Sequence, residues 1–266
     1  MARALKAPQL ISLAAGFVDP YSLPVELTRD VLNEILGDEI DGQTALQYGT
    51  THGHLPLRDL IRADQLAADG GEASQAPIDL DQVILTAGSN QLLHLVAESL
   101  IDPGDIVLCA APTYFVYLGT LQNMSARAIG VATDENGIIP EALEETLTRI
   151  EAAGDLARVK AIYFVTCYDN PRGLTVPADR RAAIVDAAQR WSKNGTSYVI
   201  ADDAYRLLRY AGADVPSTRT CDETGDPHPR RQRQTLAPPS IRHTQRTSQK
   251  PRGRHPRRNP APDRLR

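Results

Sequence analysis

The sequence is poor in cysteine and has no long apolar run. Its three cysteines, Cys109, Cys167 and Cys221, lie far apart and form no C-x-x-C pair, which argues against a disulfide framework or a zinc knuckle. No apolar run approaches the ~20 residues that span a membrane, and the first residues lack the apolar core and cleavage site of a signal peptide. These absences predict a soluble cytoplasmic protein with no membrane partner. Its 266 residues, 42% of them hydrophobic, are enough to form a sizeable core.

The charge is unevenly distributed, although the net value is only −4. Residues 1–216 carry 16 Lys and Arg against 29 Asp and Glu, whereas residues 217–266 carry 13 against 4. The basic segment is rich in proline and arginine and has few aliphatic residues, so burial of apolar surface cannot offset the entropy cost of ordering it. We therefore expect a disordered tail over residues 217–266.

Between residues 82 and 201, short β-branched runs alternate with helical patterns, which is typical of a parallel sheet covered by helices. We predict strands at 82–86, 106–110, 126–132, 160–166 and 197–201. Helices are predicted at 24–36, 56–67, 91–100, 140–153 and 177–194. In the last of these, Ile184, Ala188 and Trp191 share the face that should pack on the sheet. The predicted fold class is α/β, an α/β/α sandwich with a mostly parallel sheet.

The first segment whose residue types suit a functional site is Thr86-Ala87-Gly88-Ser89-Asn90-Gln91, which links a predicted strand to a predicted helix. Free N–H groups and the dipole at a helix start favour a phosphate, and Ser89 can add a hydroxyl donor. The alternative is that Ser89 or Asn90 is an ordinary helix N-cap.

The second segment is the turn Asn170-Pro171-Arg172-Gly173, which follows an apolar strand. An open parallel sheet binds its ligand at the carboxyl ends of its strands, where this turn would hold the Asn170 amide. A purely structural turn uses the same residue types, so both interpretations stay open.

The third segment places Asp202, Asp203 and Tyr205 after another apolar strand. Adjacent carboxylates beside a buried strand are costly unless one has a cationic partner, and a protonated pyridine nitrogen is such a partner. A tyrosine three residues after the first acid can donate to an oxygen of the same ring. The alternatives are a metal-binding or helix-capping Asp pair, for which the sequence offers no companion histidine or third carboxylate.

In this order and setting, the three segments resemble those of the class I/II, fold-type I aminotransferases, which depend on pyridoxal 5'-phosphate (PLP). The resemblance extends from about residue 11 to about residue 226 and is greatest to the 2-aminoadipate and kynurenine aminotransferase branch and to MocR-type regulators. It also includes the stretches Ile11-Ser12-Leu13-Ala14-Ala15-Gly16-Phe17-Val18-Asp19-Pro20, Leu46-Gln47-Tyr48-Gly49-Thr50-Thr51-His52-Gly53 with Pro56-Leu57-Arg58, and Pro112-Thr113-Tyr114.

The resemblance implies a role for each matching residue. Ser89 and Asn90 would belong to the phosphate turn, Tyr114 would stack on the cofactor ring, and Asp202 would pair with the ring nitrogen, with Asp203 a second, less critical acid. Asn170 and Tyr205 would contact the ring O3′, Asn170 and Gly16 would border the substrate, and Tyr48 would reach the phosphate of a neighbouring subunit in a homodimer. The implied reaction moves an amino group from an amino acid to a 2-oxo acid.

The catalytic machinery implied by the resemblance is incomplete in this sequence. The family's Schiff-base lysine follows the Asp-x-x-Tyr strand in a Ser-x-x-Lys turn, and none of Lys6, Lys160, Lys193 or Lys250 has that setting. We therefore predict a partial cofactor-binding domain over residues 46–216, after an N-terminal arm and helix over residues 1–45, with catalytic competence in doubt.

The change of composition after Asp226 has two interpretations. The tail is either a native basic extension or the product of a frameshift in a GC-rich coding sequence, and we favour the frameshift because it also accounts for the missing half that holds the family's small domain. Two alternative functions also stay open. One is a C–S lyase or decarboxylase of the same fold; the other, for which the sequence offers little support, is a non-catalytic protein whose basic tail binds nucleic acid.

Overall fold

A computed structural model describes residues 18–70, 78–192 and 197–221 of the chain. The residues divide into two units, one ending at Thr51 and the other beginning at His52. The first unit contains the 3-10 turn Pro20–Ser22 and the helices α1 (Val25–Gly37) and α2 (Glu39–Leu46). Asp38 begins α2 by accepting hydrogen bonds from the N–H groups of Ile40 and Asp41, each at 2.9 Å. The prediction of α1 is confirmed, whereas α2 was not predicted.

The second unit contains a five-stranded sheet in the order β3-β2-β1-β4-β5. Its strands are β1 (Ile106–Ala111), β2 (Arg127–Asp134), β3 (Gly137–Ile138), β4 (Val159–Val165) and β5 (Tyr198–Asp202). All neighbouring strands are parallel except β3, which pairs antiparallel with β2. Four of the five predicted strands are confirmed within two residues at each end.

Five helices and four 3-10 turns complete the second unit. The helices are α3 (Leu55–Ala68), α4 (Ser89–Leu100), α5 (Phe115–Asn123), α6 (Pro140–Ala152) and α7 (Ala178–Trp191). The 3-10 turns are Leu80–Gln82, Leu156–Arg158, Arg206–Leu208 and Thr218–Cys221. All but α5 match a predicted helix, and no helix of the described ranges combines the length and apolar content that a bilayer crossing requires.

The core lies on both faces of the sheet. On one face, alternate strand residues such as Ile106 and Leu108 pack with α6 and α7, and Ile184 and Ala188 lie in this cluster with Trp191 against it. On the other face, the intervening strand residues pack with α4 and α5. Helices therefore cover both sides of a mostly parallel sheet, which confirms the predicted α/β/α class.

The predicted strand at 82–86 is wrong. Gln82 ends the 3-10 turn Leu80–Gln82, and none of the five strands pairs with residues 83–86; one backbone bond joins Leu85 N–H to the His52 carbonyl at 2.9 Å. The buried Arg58 side chain donates to the Val83 and Leu80 carbonyls at 2.7 and 2.6 Å. An apolar run becomes a strand only where a neighbour can complete its hydrogen bonds, and here an arginine takes that place.

The prediction places the start of the disordered tail too early, at residue 217. Ser217 and Thr218 are buried, and Ser217 bonds to Asp69 through both its N–H and its hydroxyl at 2.8 Å. The buried Arg181 guanidinium also donates to the Pro216 carbonyl at 2.8 Å. The folded part thus extends at least to residue 221, and the rest of the predicted tail lies outside the described residues.

Candidate cofactor site

The predicted site residues around β4 and β5 lie at one edge of the sheet. The two strands run parallel, with Val165 opposite Asp202, so both end at the same level. Beyond them, Thr166 N–H donates to the Asp202 carbonyl at 3.0 Å. The turn with Asn170 follows β4, and Tyr205 follows β5. This carboxyl edge is where open parallel sheets bind ligands.

Asp202 is a buried carboxylate, with 3% of its surface exposed. Its Oδ2 accepts a hydrogen bond from the Tyr163 hydroxyl at 3.1 Å, and its Oδ1 accepts one from Ala204 N–H at 3.1 Å. Burial raises the pKa of Asp202, whereas these two hydrogen bonds act to lower it and the nearby charge of Asp203 adds to the rise.

No ion pair among the described residues includes Asp202. A buried carboxylate without a cationic partner is costly, and a positively charged ligand atom beside it removes that cost. The buried Asp202 carboxylate therefore fits a protonated pyridine nitrogen.

Asp203 has different neighbours from Asp202. Its Oδ1 accepts a hydrogen bond from the Thr166 hydroxyl, and its buried Oδ2 has no hydrogen-bond partner in the described ranges. Burial raises the pKa of Asp203, against the hydrogen bond from Thr166 and the charges of Arg181 and Arg206. The adjacent acids therefore occupy separate environments, with an aromatic neighbour for Asp202 and a threonine with two more distant arginines for Asp203.

The predicted phosphate turn leads directly into α4. Gly88 is the N-cap, with φ of 87°, a left-handed conformation that glycine adopts without strain. The interpretation of Ser89 or Asn90 as the N-cap is wrong, because α4 begins at Ser89 and no side chain caps it. The first-turn N–H groups of an α-helix have no partner within the helix, so this end can bind an anion.

The structure brings Asn90 and Tyr114 together. The Tyr114 hydroxyl donates to the Asn90 Oδ1 at 3.1 Å, across 24 residues of sequence. Tyr114 immediately precedes α5 and packs, like Tyr205, against the core cluster that contains Tyr163. The aromatic residue predicted to stack on the cofactor ring is thus bonded to the predicted phosphate turn.

Other predicted residues are not joined in this way. Asn170 and Tyr205, both described, share no hydrogen bond with each other or with the Asp202 side chain. Asp169 shapes the turn around Asn170: its carboxylate accepts from Leu174 N–H at 2.9 Å and forms a salt bridge with Arg172 at 2.7 Å. Tyr48 lies in the first unit with its side chain 100% exposed, and Gly16 lies outside the described residues.

Sequence analysis missed Tyr163 and Thr166, the side chains that bond to the two acids. Tyr163 lies within β4, where it reads as one more apolar core residue, and Thr166 directly follows that strand. The alternation of Ala161, Tyr163 and Val165 places Tyr163 on one face of β4, but its contact with Asp202 depends on the β4–β5 register.

The fold is that of an α/β protein with a buried acid at the carboxyl edge of its sheet, and the predicted phosphate turn leads into a helix whose first-turn N–H groups can bind an anion. The model of the family "Aminotransferase class I and II" matches residues 9–236. The chain belongs to this family, whose members use PLP.

Curated relatives agree with this assignment. The chain is 33% identical to aromatic-amino-acid aminotransferase 1 of Thermococcus litoralis over 221 residues, covering 83% of this chain and 50% of the relative. It is 30% identical to 2-aminoadipate transaminase of Thermus thermophilus over 210 residues, covering 79% and 47%. The chain thus spans about half the length of these curated relatives.

Solved structures show the same fold. Kynurenine aminotransferase of Pyrococcus horikoshii, crystallised with PMP, superposes with a TM-score of 0.72 at 33% identity, covering 84% of this chain and 52% of that one. The α-aminoadipate aminotransferase LysN of Thermus thermophilus, complexed with a phosphopyridoxyl-leucine, gives a TM-score of 0.65 at 28% identity, covering 82% and 49%.

Proposed function

We propose that this chain binds PLP at the carboxyl edge of its sheet, with the Asp202 carboxylate against the ring nitrogen. The observation that carries the proposal is the burial of Asp202 without an ion-pair partner among the described residues. A protonated ring nitrogen supplies the positive charge that would stabilise this carboxylate. When bound, PLP supplies an electron sink for the α-carbon of an amino acid.

The remaining residues are assigned around that contact. The start of α4, with the Ser89 hydroxyl, binds the phosphate, and the bond between Asn90 and Tyr114 links this end of the site to the stacking ring. Asn170 and Tyr205 are assigned to the ring O3′, because they follow the two strands that end at this edge. Asn170 and Gly16 border the substrate.

The lineage's reaction is amino transfer from an amino acid to a 2-oxo acid. Support comes from the names of the relatives, several of which are aminotransferases for aromatic or aminoadipate substrates. The fully exposed Tyr48 is assigned to the phosphate of a second subunit, which makes the assembly a homodimer. The proposed division is an N-terminal arm over residues 1–45 and a cofactor-binding domain from residue 46, in a cytoplasmic protein.

We assign slow or no turnover to this chain, because among the described residues no lysine is placed to move a proton at the substrate α-carbon. Lys160 is the one lysine among the described residues, and it lies near the start of β4 with its Nζ 3.9 Å from Asp105. Lys160 lies five residues before the end of β4, a distance of ~16 Å at about 3.3 Å per residue. This span exceeds the length of a lysine side chain.

The test is a PLP titration of the full chain, followed by absorbance, with Asp202→Ala and Asp186→Ala compared. Loss of a charged contact should weaken binding by about 10- to 100-fold in Asp202→Ala. Asp186 is exposed on α7, so its variant is a control that should match the unsubstituted chain. Equal affinity in all three proteins would contradict the proposal.

Borohydride reduction of the PLP-loaded chain tests the assignment of low activity. Peptide mapping should find no pyridoxyl group on Lys160, and the free-aldehyde absorbance should persist before reduction. A stoichiometric label on any of the four lysines, together with measurable amino transfer, would overturn that assignment.

A further inference from the structure

Tyr163 is, with Thr166, one of the two residues at the site that neither the motifs nor the resemblance assigned. It lies in the middle of β4 with none of its surface exposed. Its hydroxyl, which donates to Asp202 Oδ2 at 3.1 Å, is the one side-chain hydrogen-bond donor to that carboxylate among the described residues. Buried tyrosine hydroxyls generally find a partner, so the bond alone does not distinguish packing from function.

The neighbouring Tyr117 provides the comparison. Its ring centroid lies 4.2 Å from that of Tyr163, with an angle of 43° between the planes, and only 1% of its surface is exposed. Within the described part of the chain, the buried Tyr117 hydroxyl has no hydrogen-bond partner. The core therefore accommodates a tyrosine hydroxyl without a bond to the acid, and of these two hydroxyls only that of Tyr163 donates to Asp202.

The position of Tyr163 is well fixed. The β4–β5 pairing places Tyr163 opposite Ile200 and Val165 opposite Asp202, so Tyr163 is two residues from the partner of Asp202. Residues at such diagonal positions are within reach of an aromatic side chain. The strand register and the Tyr117 ring together hold the Tyr163 hydroxyl toward Oδ2.

We propose that Tyr163 is a positioning residue for Asp202: its hydroxyl orients the carboxylate and favours the ionised form that pairs with the PLP ring nitrogen. This inference rests on the proposed function, because it gives Tyr163 a role only through Asp202. Tyr163 is not assigned a contact with the cofactor. A phenylalanine would fill the same space and lose only the hydrogen bond.

The charge balance around Asp202 explains why the bond matters. Among the described residues, the titratable groups that face this carboxylate are Tyr163 on β4, Tyr117 on α5 and Asp203, which directly follows β5. Burial raises the pKa of Asp202, and the hydrogen bond from Tyr163 opposes that rise. Removing the hydroxyl should therefore raise this pKa further, so that Asp202 becomes neutral at a higher pH and loses its attraction for a pyridinium.

The experiment compares Tyr163→Phe with the matched control Tyr117→Phe in the full chain. Affinity for PLP is measured from acidic to neutral pH, and thermal melting reports the fold. Tyr163→Phe should weaken binding by about 10-fold, the effect of losing a hydrogen bond to a charged group. The acidic pH at which binding is lost should also move upward. Tyr117→Phe should change neither quantity.

A double variant separates the inference from the proposed function. In the Asp202→Ala background, Tyr163→Phe should have no further effect on PLP affinity, because the carboxylate through which it acts is gone. If Asp202→Ala alone leaves affinity unchanged, the proposed function fails. If Asp202→Ala weakens binding but Tyr163→Phe does not, or if the two effects add, only the role of Tyr163 is refuted.

A second variant covers the case in which Tyr163→Phe fails to melt cooperatively. Site-specific 3-fluorotyrosine at position 163 keeps the ring and its contacts but has a more acidic hydroxyl, which is a stronger donor. The acid limit of PLP binding should then move to lower pH. An acid limit that does not move would overturn the inference.

Discussion

Replacing Asp69 should destabilise the segment that follows the site. This residue lies just after α3, and its side chain is fully buried (0% exposed). Its carboxylate accepts hydrogen bonds from Ser217 N–H and hydroxyl at 2.8 Å and from Gln65 and Arg219 at 3.0 Å. Arg206 also lies 3.7 Å from it. One buried acid thus ties α3 to residues 206–219, the stretch directly after Asp202 and Tyr205.

The size of the effect follows from what Asp69→Ala leaves behind. Asp69→Ala removes the 3.7 Å pair with the buried Arg206 and the 3.0 Å pair with Arg219, whereas Asp214, 3.4 Å from Arg206, still offsets part of that charge. Because breaking a buried ion pair costs about 3–5 kcal/mol, we expect a loss near the lower end, about 3 kcal/mol. For a folded part of this size, that corresponds to a fall in melting temperature on the order of 10 °C. Asp69→Asn keeps the shape of the side chain but loses its charge, so its melting temperature should lie between those of Asp69→Ala and the unsubstituted chain.

Urea unfolding followed by circular dichroism measures the loss. The control is Asp59→Ala in the same helix, where an exposed Asp59–Arg62 pair at 2.7 Å should contribute less than about 1 kcal/mol. A cost below about 1 kcal/mol for Asp69→Ala would refute the reasoning, because it would mean that Arg206 and Arg219 do not depend on this carboxylate.

The same residue predicts how stability responds to acid. Burial acts to raise the pKa of Asp69, but the hydrogen bonds from Ser217, Gln65 and Arg219 outweigh it and hold the pKa below its usual range. A lowered folded-state pKa means that the stabilisation is fully present above the unfolded value of about 4 and is lost as pH falls through the folded value. The difference in free energy of unfolding between Asp69→Ala and the unsubstituted chain should therefore become smaller at low pH.

Two further outcomes can be measured on the purified chain. Asp202→Asn should raise the melting temperature without PLP and abolish the stabilisation that added PLP gives, because it removes a buried charge that has no ion-pair partner in the described part of the chain. Equal melting temperatures with and without the substitution would contradict this. Cys109, whose pKa is raised to about 12 by burial, should react with a thiol reagent only after unfolding, as seen by mass spectrometry; rapid labelling in the native state would be the opposite result.

The sequence predicted those parts of the fold that leave a periodic pattern. Strands β1, β2, β4 and β5 are apolar runs, and α7 shows its sheet-facing stripe through Ile184 and Ala188. The helix α5 was missed because its apolar residues do not form a single stripe, and α2 because glycine and two acids interrupt it. The segment 82–86 was mispredicted because strand formation depends on a neighbour, which a local pattern does not reveal.

The site residues also divide into those that the sequence predicted and those that it did not. Asp202 was singled out because it directly follows a predicted strand, and Asn170 and Ser89 because they lie in turns a few residues after predicted strands, although the segment before Ser89 forms no strand. Tyr163 and Thr166 were not, because their contacts with the acids depend on the register between β4 and β5. A pairing between strands nearly 40 residues apart is a property of the whole sheet, and no local motif carries it.

The energetics of Asp202 connect the fold to the proposed function. A buried carboxylate with a raised pKa destabilises the cofactor-free chain at neutral pH, because the unfolded chain ionises it freely. The folded chain keeps this destabilising carboxylate, and two hydrogen bonds, from Tyr163 and Ala204, favour its charged form. An asparagine in the same place would accept from Ala204 N–H through its oxygen and donate to the Tyr163 oxygen through its amide nitrogen, without any charge. A site that keeps a negative charge where packing alone would remove it is organised to receive a cation, and the binding of that cation then stabilises the fold.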